Sequence, residues 1–305
     1  MTSRYFAYGS NLNVDDFRRY CTENGLDASV LRPLGRAFLP DHEPVFHYRS
    51  SERGGGVLDV RPRRGIATPG ALFEVMDGFE VLDRKEGVST GAYRRVRVTA
   101  LTDDGRSHEV ETYVVDPSRH GPHVPPSDEY LKIVSTGLAR HRHDTAMLRA
   151  AAAGRRPACD PSSVFVYGTL RRGESRGSSL EHHDPLEEGK GVVHGTVRGK
   201  LLDLGEYPGL LPTDDPHARV HGELYTFFEL EKVFGELDAI EDFLGYGVDG
   251  SLYHRVLVRV DLDGRERLAW TYVYVGPLAG TCPIESGDWV GYRVARDAAA
   301  PSPAL

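Results

Sequence analysis

Arg4-Tyr-Phe-Ala-Tyr-Gly-Ser-Asn-Leu12 returns in the second half of the chain as Ser163-Val-Phe-Val-Tyr-Gly-Thr-Leu170. Each copy is a short apolar run that breaks at a glycine followed by a small hydroxyl residue, which reads as a strand ending in a tight turn. Further landmarks repeat in the same order. Gly70-Ala-Leu-Phe-Glu-Val75 recurs as Gly222-Glu-Leu-Tyr-Thr-Phe227, and Leu82-Asp-Arg-Lys-Glu86 recurs as Leu237-Asp-Ala-Ile-Glu241. Tyr93-Arg-Arg-Val-Arg-Val98, with a turn at Asp103-Asp104-Gly105, recurs as Tyr253-His-Arg-Val-Leu-Val258, with a turn at Asp263-Gly264. Asp-Gly between alternating apolar runs predicts a β-hairpin. Each Tyr-Gly pair stands about 75 residues before its Glu, and four landmarks in one order at one spacing mark an internal repeat.

The repeat sets the domain organisation. Gly154-Arg-Arg-Pro-Ala-Cys-Asp-Pro161 interrupts the helical pattern with two prolines and reads as a linker. One domain is expected over residues 1–155 and a second over 161–296. Both are of α+β class, with mostly hairpin-connected strands and a few helices. A helix is expected to start at Asn13, which can cap it with Asp15 and Asp16 in the first turn, and to stop at Gly25. Helices are also expected over 127–140 and 144–153. The second domain is expected to lack their equivalent and to end after Trp289, with a disordered tail over 298–305.

Composition narrows the function. A net charge of −8 argues against nucleic acid as a partner and favours a small molecule or another protein. No apolar run is long enough to cross a membrane as a helix. The N-terminus enters a strand directly, so no signal peptide is expected. Cys21, Cys159 and Cys282 are odd in number and far apart, which suggests reduced thiols in the cytoplasm. The pairs His141/His143, His182/His183 and His217/His221 have no further ligand at metal spacing, so no metal is expected. Neither a nucleotide-binding glycine loop nor a Ser or Cys nucleophile motif occurs.

Two features remain that carry chemistry. The turns Tyr8-Gly9-Ser10-Asn11-Leu12 and Tyr167-Gly168-Thr169-Leu170 can aim successive N–H groups at one point, which makes an anion or oxyanion site. Alternatively they are strand-to-helix turns without a ligand. Glu86 and Glu241 each lie four residues after a leucine that should face the core, so each carboxylate is expected to be half-buried with a raised pKa, fit for general acid–base work. The plainer alternative is a solvated Glu at a helix end. Glu74, Glu80, Glu231 and Glu236 read as surface residues.

These pieces resemble a known family. The first domain resembles γ-glutamylcyclotransferases at Phe6-Ala-Tyr-Gly-Ser-Asn-Leu12, Leu82-Asp-Arg-Lys-Glu-Gly-Val88, Gly91-Ala-Tyr93 and Pro125-Pro-Ser-Asp-Glu-Tyr130. The second resembles the γ-glutamylamine cyclotransferase branch at Val166-Tyr-Gly-Thr-Leu-Arg-Arg-Gly173, Leu237-Asp-Ala-Ile-Glu241, Tyr253 and Ser286-Gly-Asp-Trp289. It departs at Asp242, where a glycine commonly follows the Glu, and by extra residues before Tyr253.

The resemblance implies two tandem mixed β-barrels, each small, flanked by helices and carrying a pocket at its mouth. It implies that Tyr8 to Leu12 and Tyr167 to Leu170 line the pockets through backbone amides. It further implies Glu86 and Glu241 as acid/base residues and Tyr93, Tyr130 and Tyr253 as pocket residues. The activity implied needs no cofactor: the α-amine of a γ-glutamyl substrate attacks its own γ-carbonyl, releasing 5-oxoproline and an amine. Two alternatives stay open on the same fold. One is a hydrolytic amide enzyme that removes a γ-glutamyl group from a natural product; the other is a non-catalytic ligand-binding module. The sequence carries no signal for oligomeric state.

Overall fold

The computed structural model describes residues 3–183 and 193–299. The chain divides into two compact units: the residues up to Thr102 with Ser107–Asp160, and Asp103–Arg106 with the residues from Pro161 on. Among the described residues no helix is long and apolar enough to cross a membrane.

The first unit runs β1 (Ser3–Ala7), α1 (Val14–Glu23), β2 (Leu31–Ser50), β3 (Gly55–Val75), α2 (Glu80–Lys85), β4 (Tyr93–Leu101), β5 (Ser107–Val115), α3 (Asp128–Arg140) and α4 (Ala146–Ala152). Its strands close into a barrel in the order β1-β3-β2-β4-β5. The β1–β5 pair is parallel and the rest are antiparallel, so the barrel is mixed. Asn13 caps α1 by accepting from the Asp15 and Asp16 N–H groups. Those acidic residues also suit the positive end of the helix dipole. Ser127 caps α3 in the same way through the Tyr130 N–H.

The second unit runs β6 (Ser163–Val166), α5 (Ser178–Glu181), β7 (Val193–Arg198), β8 (Lys200–Asp203), β9 (Pro208–Leu211), β10 (Arg219–Thr226), α6 (Leu230–Ile240), β11 (Tyr253–Leu262), β12 (Arg265–Tyr274), β13 (Cys282–Pro283) and α7 (Trp289–Ala299). Its barrel closes as β10-β6-β12-β11-β7, again with one parallel pair, β6–β12. The long β2–β3 hairpin of the first unit is broken here into β7–β10 and β8–β9 pairs. Gly199, Pro212 and Pro216 lie at the break, and proline cannot donate to a ladder.

The repeated glycine landmark has a steric cause. A Cβ at Gly70 would stand 2.3 Å from the Ala7 carbonyl oxygen and 2.4 Å from the Phe6 ring; at Gly222 it would stand 2.4 Å from both the Val166 carbonyl oxygen and the Phe165 ring. Only glycine lets the first strand and its aromatic residue approach this closely. The hydroxyls of Thr112 and Thr271 close the other side of that strand, donating to the Phe6 and Phe165 carbonyls at 2.8 and 2.9 Å.

One expectation is corrected. The second unit does not end after Trp289: α7 begins there, and it takes in Ala298 and Ala299, which the sequence assigned to a disordered tail. Residues 300–305 of that tail lie outside the described residues. Gly291 inside the segment weakens the helical pattern. Tertiary contacts supply what propensity lacks. Trp289 is fully buried, the Gly291 N–H donates to the Asp288 carboxylate, and Arg293 pairs with Glu174 at 3.0 Å.

Candidate active site

In each unit the first strand ends at the Tyr-Gly pair, and the tyrosine does not reach outward. The Tyr8 hydroxyl donates to the Tyr113 carbonyl at 2.5 Å, and Tyr167 donates to the Tyr272 carbonyl at 2.9 Å. Both phenols therefore pin the turn to the return strand of the second hairpin. Behind the glycine the chain closes one tight turn: Leu12 N–H donates to Gly9, and Arg171 N–H donates to Gly168. The N–H groups that lead such a turn have no partner within it. In the first unit these are Ser10 and Asn11, and in the second Thr169 and Leu170.

The motif glutamates meet these turns. Glu86 ends α2 and Glu241 ends α6. Both are half-buried. The Glu86 carboxylate accepts from the Asn11 amide at 2.7 Å, and the same amide lies 3.0 Å from the Tyr5 hydroxyl. A cavity of about 560 Å³ brings Glu86 together with Tyr8, Gly9, Ser10, Asn11, Tyr93 and Tyr130. The second unit encloses about 70 Å³ among Tyr167, Gly168, Thr169, Leu170, Glu241 and Tyr253.

Leu12 is the exception. Its side chain is fully buried, away from the cavity, and its N–H is spent on Gly9. It packs on α3 at Gly137, where a Cβ would come within 2.5 Å of the Leu12 Cβ. Leu12 therefore anchors the turn and does not line the pocket.

The two carboxylates sit in different surroundings. Burial pushes Glu241 up to about 7; Arg176 opposes this and Asp242 adds to it. Burial also raises Glu86, but Lys85, the Asn11 amide and Arg53 all pull it back. The difference traces to sequence. Asn11 and Lys85 are replaced by Leu170 and Ile240, so the second carboxylate has fewer groups to stabilise its charge.

Sequence reasoning missed the groups that hold the glutamates in place. The motif aspartates do this. Asp83 accepts from the Tyr113 hydroxyl at 2.6 Å and from Arg95 at 3.1 Å; Asp238 accepts from the Tyr272 hydroxyl at 2.7 Å and from Arg255 at 3.1 Å. Arg95 pairs across the hairpin with Tyr113, and Arg255 with Tyr272. Each Arg lies two residues after a tyrosine already singled out, so period-2 alternation carried the signal.

The first unit also buries Asp59 behind Tyr8. It accepts from the Val115 N–H at 3.0 Å and pairs with His47 at 2.6 Å. Loop residues Ser50 to Arg53 join the cavity wall, and Arg53 is held by Asp16 at 2.9 Å. Nothing short-range in the sequence links Asp59 to Tyr8 or Arg53 to Asp16, although the loop over 50–56 is one the sequence marks as a candidate pocket wall.

The residue after each Glu is left-handed: φ is 63° at Gly87 and 48° at Asp242. The departure at Asp242 thus keeps the turn at some steric cost, which aspartate tolerates better than most residues. Asp242→Gly is expected to stabilise the second unit by about 1 kcal/mol. It should also lower the Glu241 pKa, because the negative neighbour is gone. Carbon-detected NMR titration of Glu241 checks this, and an unmoved midpoint would show that the Asp242 charge does not reach it.

With this geometry in view, the similarities to known proteins are specific. The family described as gamma-glutamyl cyclotransferase, AIG2-like, matches residues 164–291, and the AIG2-like family matches residues 69–142. The gamma-L-glutamyl-butirosin B gamma-glutamyl cyclotransferase of Niallia circulans is 34% identical over 133 residues, which cover 43% of this chain and 78% of that protein. The chain belongs to the γ-glutamylcyclotransferase-like family. Another relative, the gamma-glutamylcyclotransferase family protein YtfP of Escherichia coli K12, is 32% identical over 127 residues, covering 42% of this chain and 95% of that one. A solved gamma-glutamyl cyclotransferase structure aligns over 46% of this chain and 80% of its own, with 25% identity and a TM-score of 0.40. Within the γ-glutamylcyclotransferase-like family this chain is a tandem form, with two family matches and two closed barrels.

Proposed function

We propose that both units are γ-glutamyl cyclotransferases, with Glu86 and Glu241 as the general acid–base residues. One observation carries the reading: in each barrel a half-buried carboxylate of raised pKa faces the Tyr-Gly turn within a cavity. The Glu takes a proton from the α-ammonium of a γ-glutamyl substrate. The freed amine attacks the γ-carbonyl carbon, and the turn's leading N–H groups hold the oxygen as charge develops on it. The tetrahedral species collapses with cleavage of the original γ-amide C–N bond as the Glu returns its proton to the departing nitrogen; the ionised Glu then takes the second proton from the ring nitrogen, and the released amine leaves with it as an ammonium. The products are 5-oxoproline and a free amine. The nucleophile belongs to the substrate, so the protein's main task is to hold the chain in a ring-forming shape; proximity of this kind contributes several kcal/mol.

Cavity size supports different leaving groups for the two units. The larger cavity is walled by Arg49, Arg53, Arg84, Lys85 and Arg119 against Glu52 and Glu86, and suits a bulky or anionic leaving group. The smaller one has Arg176 as its cation among mostly apolar walls and suits a compact group. Incubation with a panel of γ-glutamyl amines and mass spectrometry of the acyl product tests the reaction. 5-Oxoproline is expected; free glutamate in its place would mean hydrolysis, and no turnover at all would leave a binding module.

A further inference from the structure

We propose that His182, His183 and Glu236 form a binding site for a divalent transition-metal ion of the zinc class, clamping the chain after α5 to α6. Sequence spacing hid the third ligand, because Glu236 lies on a different helix. The fold brings its Oε2 atom to 2.9 Å from His182 Nε2 and 3.1 Å from His183 Nε2. All three candidate ligand atoms lie within 4.8 Å of one another.

The hydrogen bonding of His182 makes the arrangement pointed. Its Nδ1 faces the Ser178 carbonyl oxygen at 3.2 Å. A carbonyl only accepts, so the ring hydrogen sits on Nδ1, and in the neutral ring Nε2 presents a lone pair to the carboxylate. Two such atoms facing each other are joined either by the ring's second proton, as an ion pair, or by a metal ion that takes both lone pairs, and the titration below separates the two. An outer carbonyl that orients the ring in this way is the usual second layer of a metal-ligating histidine. Two imidazoles and one carboxylate match zinc-class ions and do not suit calcium or magnesium, which take oxygen ligands. A tetrahedral ion with ligands at about 2.05 Å holds them about 3.3 Å apart, so the two histidine–carboxylate distances need only a few tenths of an ångström of opening.

The other histidine–carboxylate cluster differs. In the His47–Asp59–His120 group, Asp59 already accepts from the Val115 N–H and the Tyr8 hydroxyl, and His120 Nε2 faces the Val115 carbonyl at 3.2 Å. Its hydrogen bonds are satisfied internally.

The proposed site touches the second cavity only indirectly. Glu236 stands little more than one helical turn before Glu241, and Arg176 on the cavity wall lies just ahead of α5. A bound ion would therefore fix the wall against the helix that carries the carboxylate.

The test uses full-length, tag-free protein stripped with chelator and titrated with Zn²⁺ by calorimetry, and with Co²⁺ by visible absorption. One saturable equivalent is expected. H182A/H183A should lose it, E236Q should bind at least about tenfold more weakly, and H47Q should bind as the wild type does. The proposal fails if wild-type protein shows no saturable binding, if H182A/H183A binds unchanged, or if H47Q abolishes binding. Should the double variant misfold, E236Q alone decides, and unaltered affinity there overturns the assignment.

Discussion

Glu86→Gln and Glu241→Gln, combined in one chain, are expected to lower 5-oxoproline release by roughly 10²–10⁴-fold, the usual contribution of a positioned proton-transfer group. Glutamine keeps the size and the hydrogen-bond reach but cannot carry the proton. Each single variant should lower turnover in its own unit by that same factor and spare the other. Bulky anionic substrates should fail with Glu86→Gln, and compact ones with Glu241→Gln. A double variant that keeps wild-type turnover would remove both glutamates from the mechanism.

The same variants carry a pH signature. Glu241 acts as a base only when ionised, so turnover in the second unit should rise as pH increases through about 7. The corresponding limb of the first unit should lie at lower pH, because Lys85, Asn11 and Arg53 favour the ionised Glu86. The stability effect has the opposite sign. A carboxyl whose folded pKa is raised binds its proton more tightly in the folded state than in the unfolded one. Its favourable contribution is complete below the unfolded pKa and is lost as pH rises through about 7. Glu241→Gln should therefore melt higher than wild type at pH 8.5, with the gap closing toward pH 5. This also serves as the control that lost activity is not lost folding.

Arg255→Leu is expected to destabilise the second unit by about 3–5 kcal/mol, the usual result of removing one partner of a buried ion pair. Arg255 is 0% exposed, and its guanidinium lies 4.1 Å from the centre of the Phe234 ring as well as bridging to Asp238. Leucine leaves the Asp238 carboxylate without that cation and forfeits the stacking. The equivalent change in the first unit, Arg95→Leu, should cost within about 1 kcal/mol, because Arg95 is 37% and Asp83 32% exposed and water screens the pair. The chain provides its own probe. Its two tryptophans, Trp270 and Trp289, both lie in the second unit, so tryptophan fluorescence during urea unfolding reports that unit alone. A shift below 1 kcal/mol for Arg255→Leu would show that this pair does not hold α6 in place.

Much of this protein was legible along the chain because its signals are local and repeated. Gly70 and Gly222, the Asp-Gly turns and the Leu-Asp-x-x-Glu segments are each read over a few residues, and their recurrence in order defined two copies of one α+β unit. The Asn13 cap was equally local. Where one helix depended on distant contacts the reading failed: α7 forms because Trp289 is buried and Arg293 reaches Glu174, and neither contact leaves a trace in short-range pattern. The site divides in the same way. Sequence spacing singled out Glu86 and Glu241, but it could not tell that Leu12 turns into the core under Gly137 or that Asn11 turns to Glu86. Nor could it show that His182 and His183 meet Glu236. Residue identity and spacing determined the repeat, the turns and the candidate carboxylates. Closure of the two barrels decided which side chains face one another, and so the different electrostatic surroundings of two glutamates from the same motif.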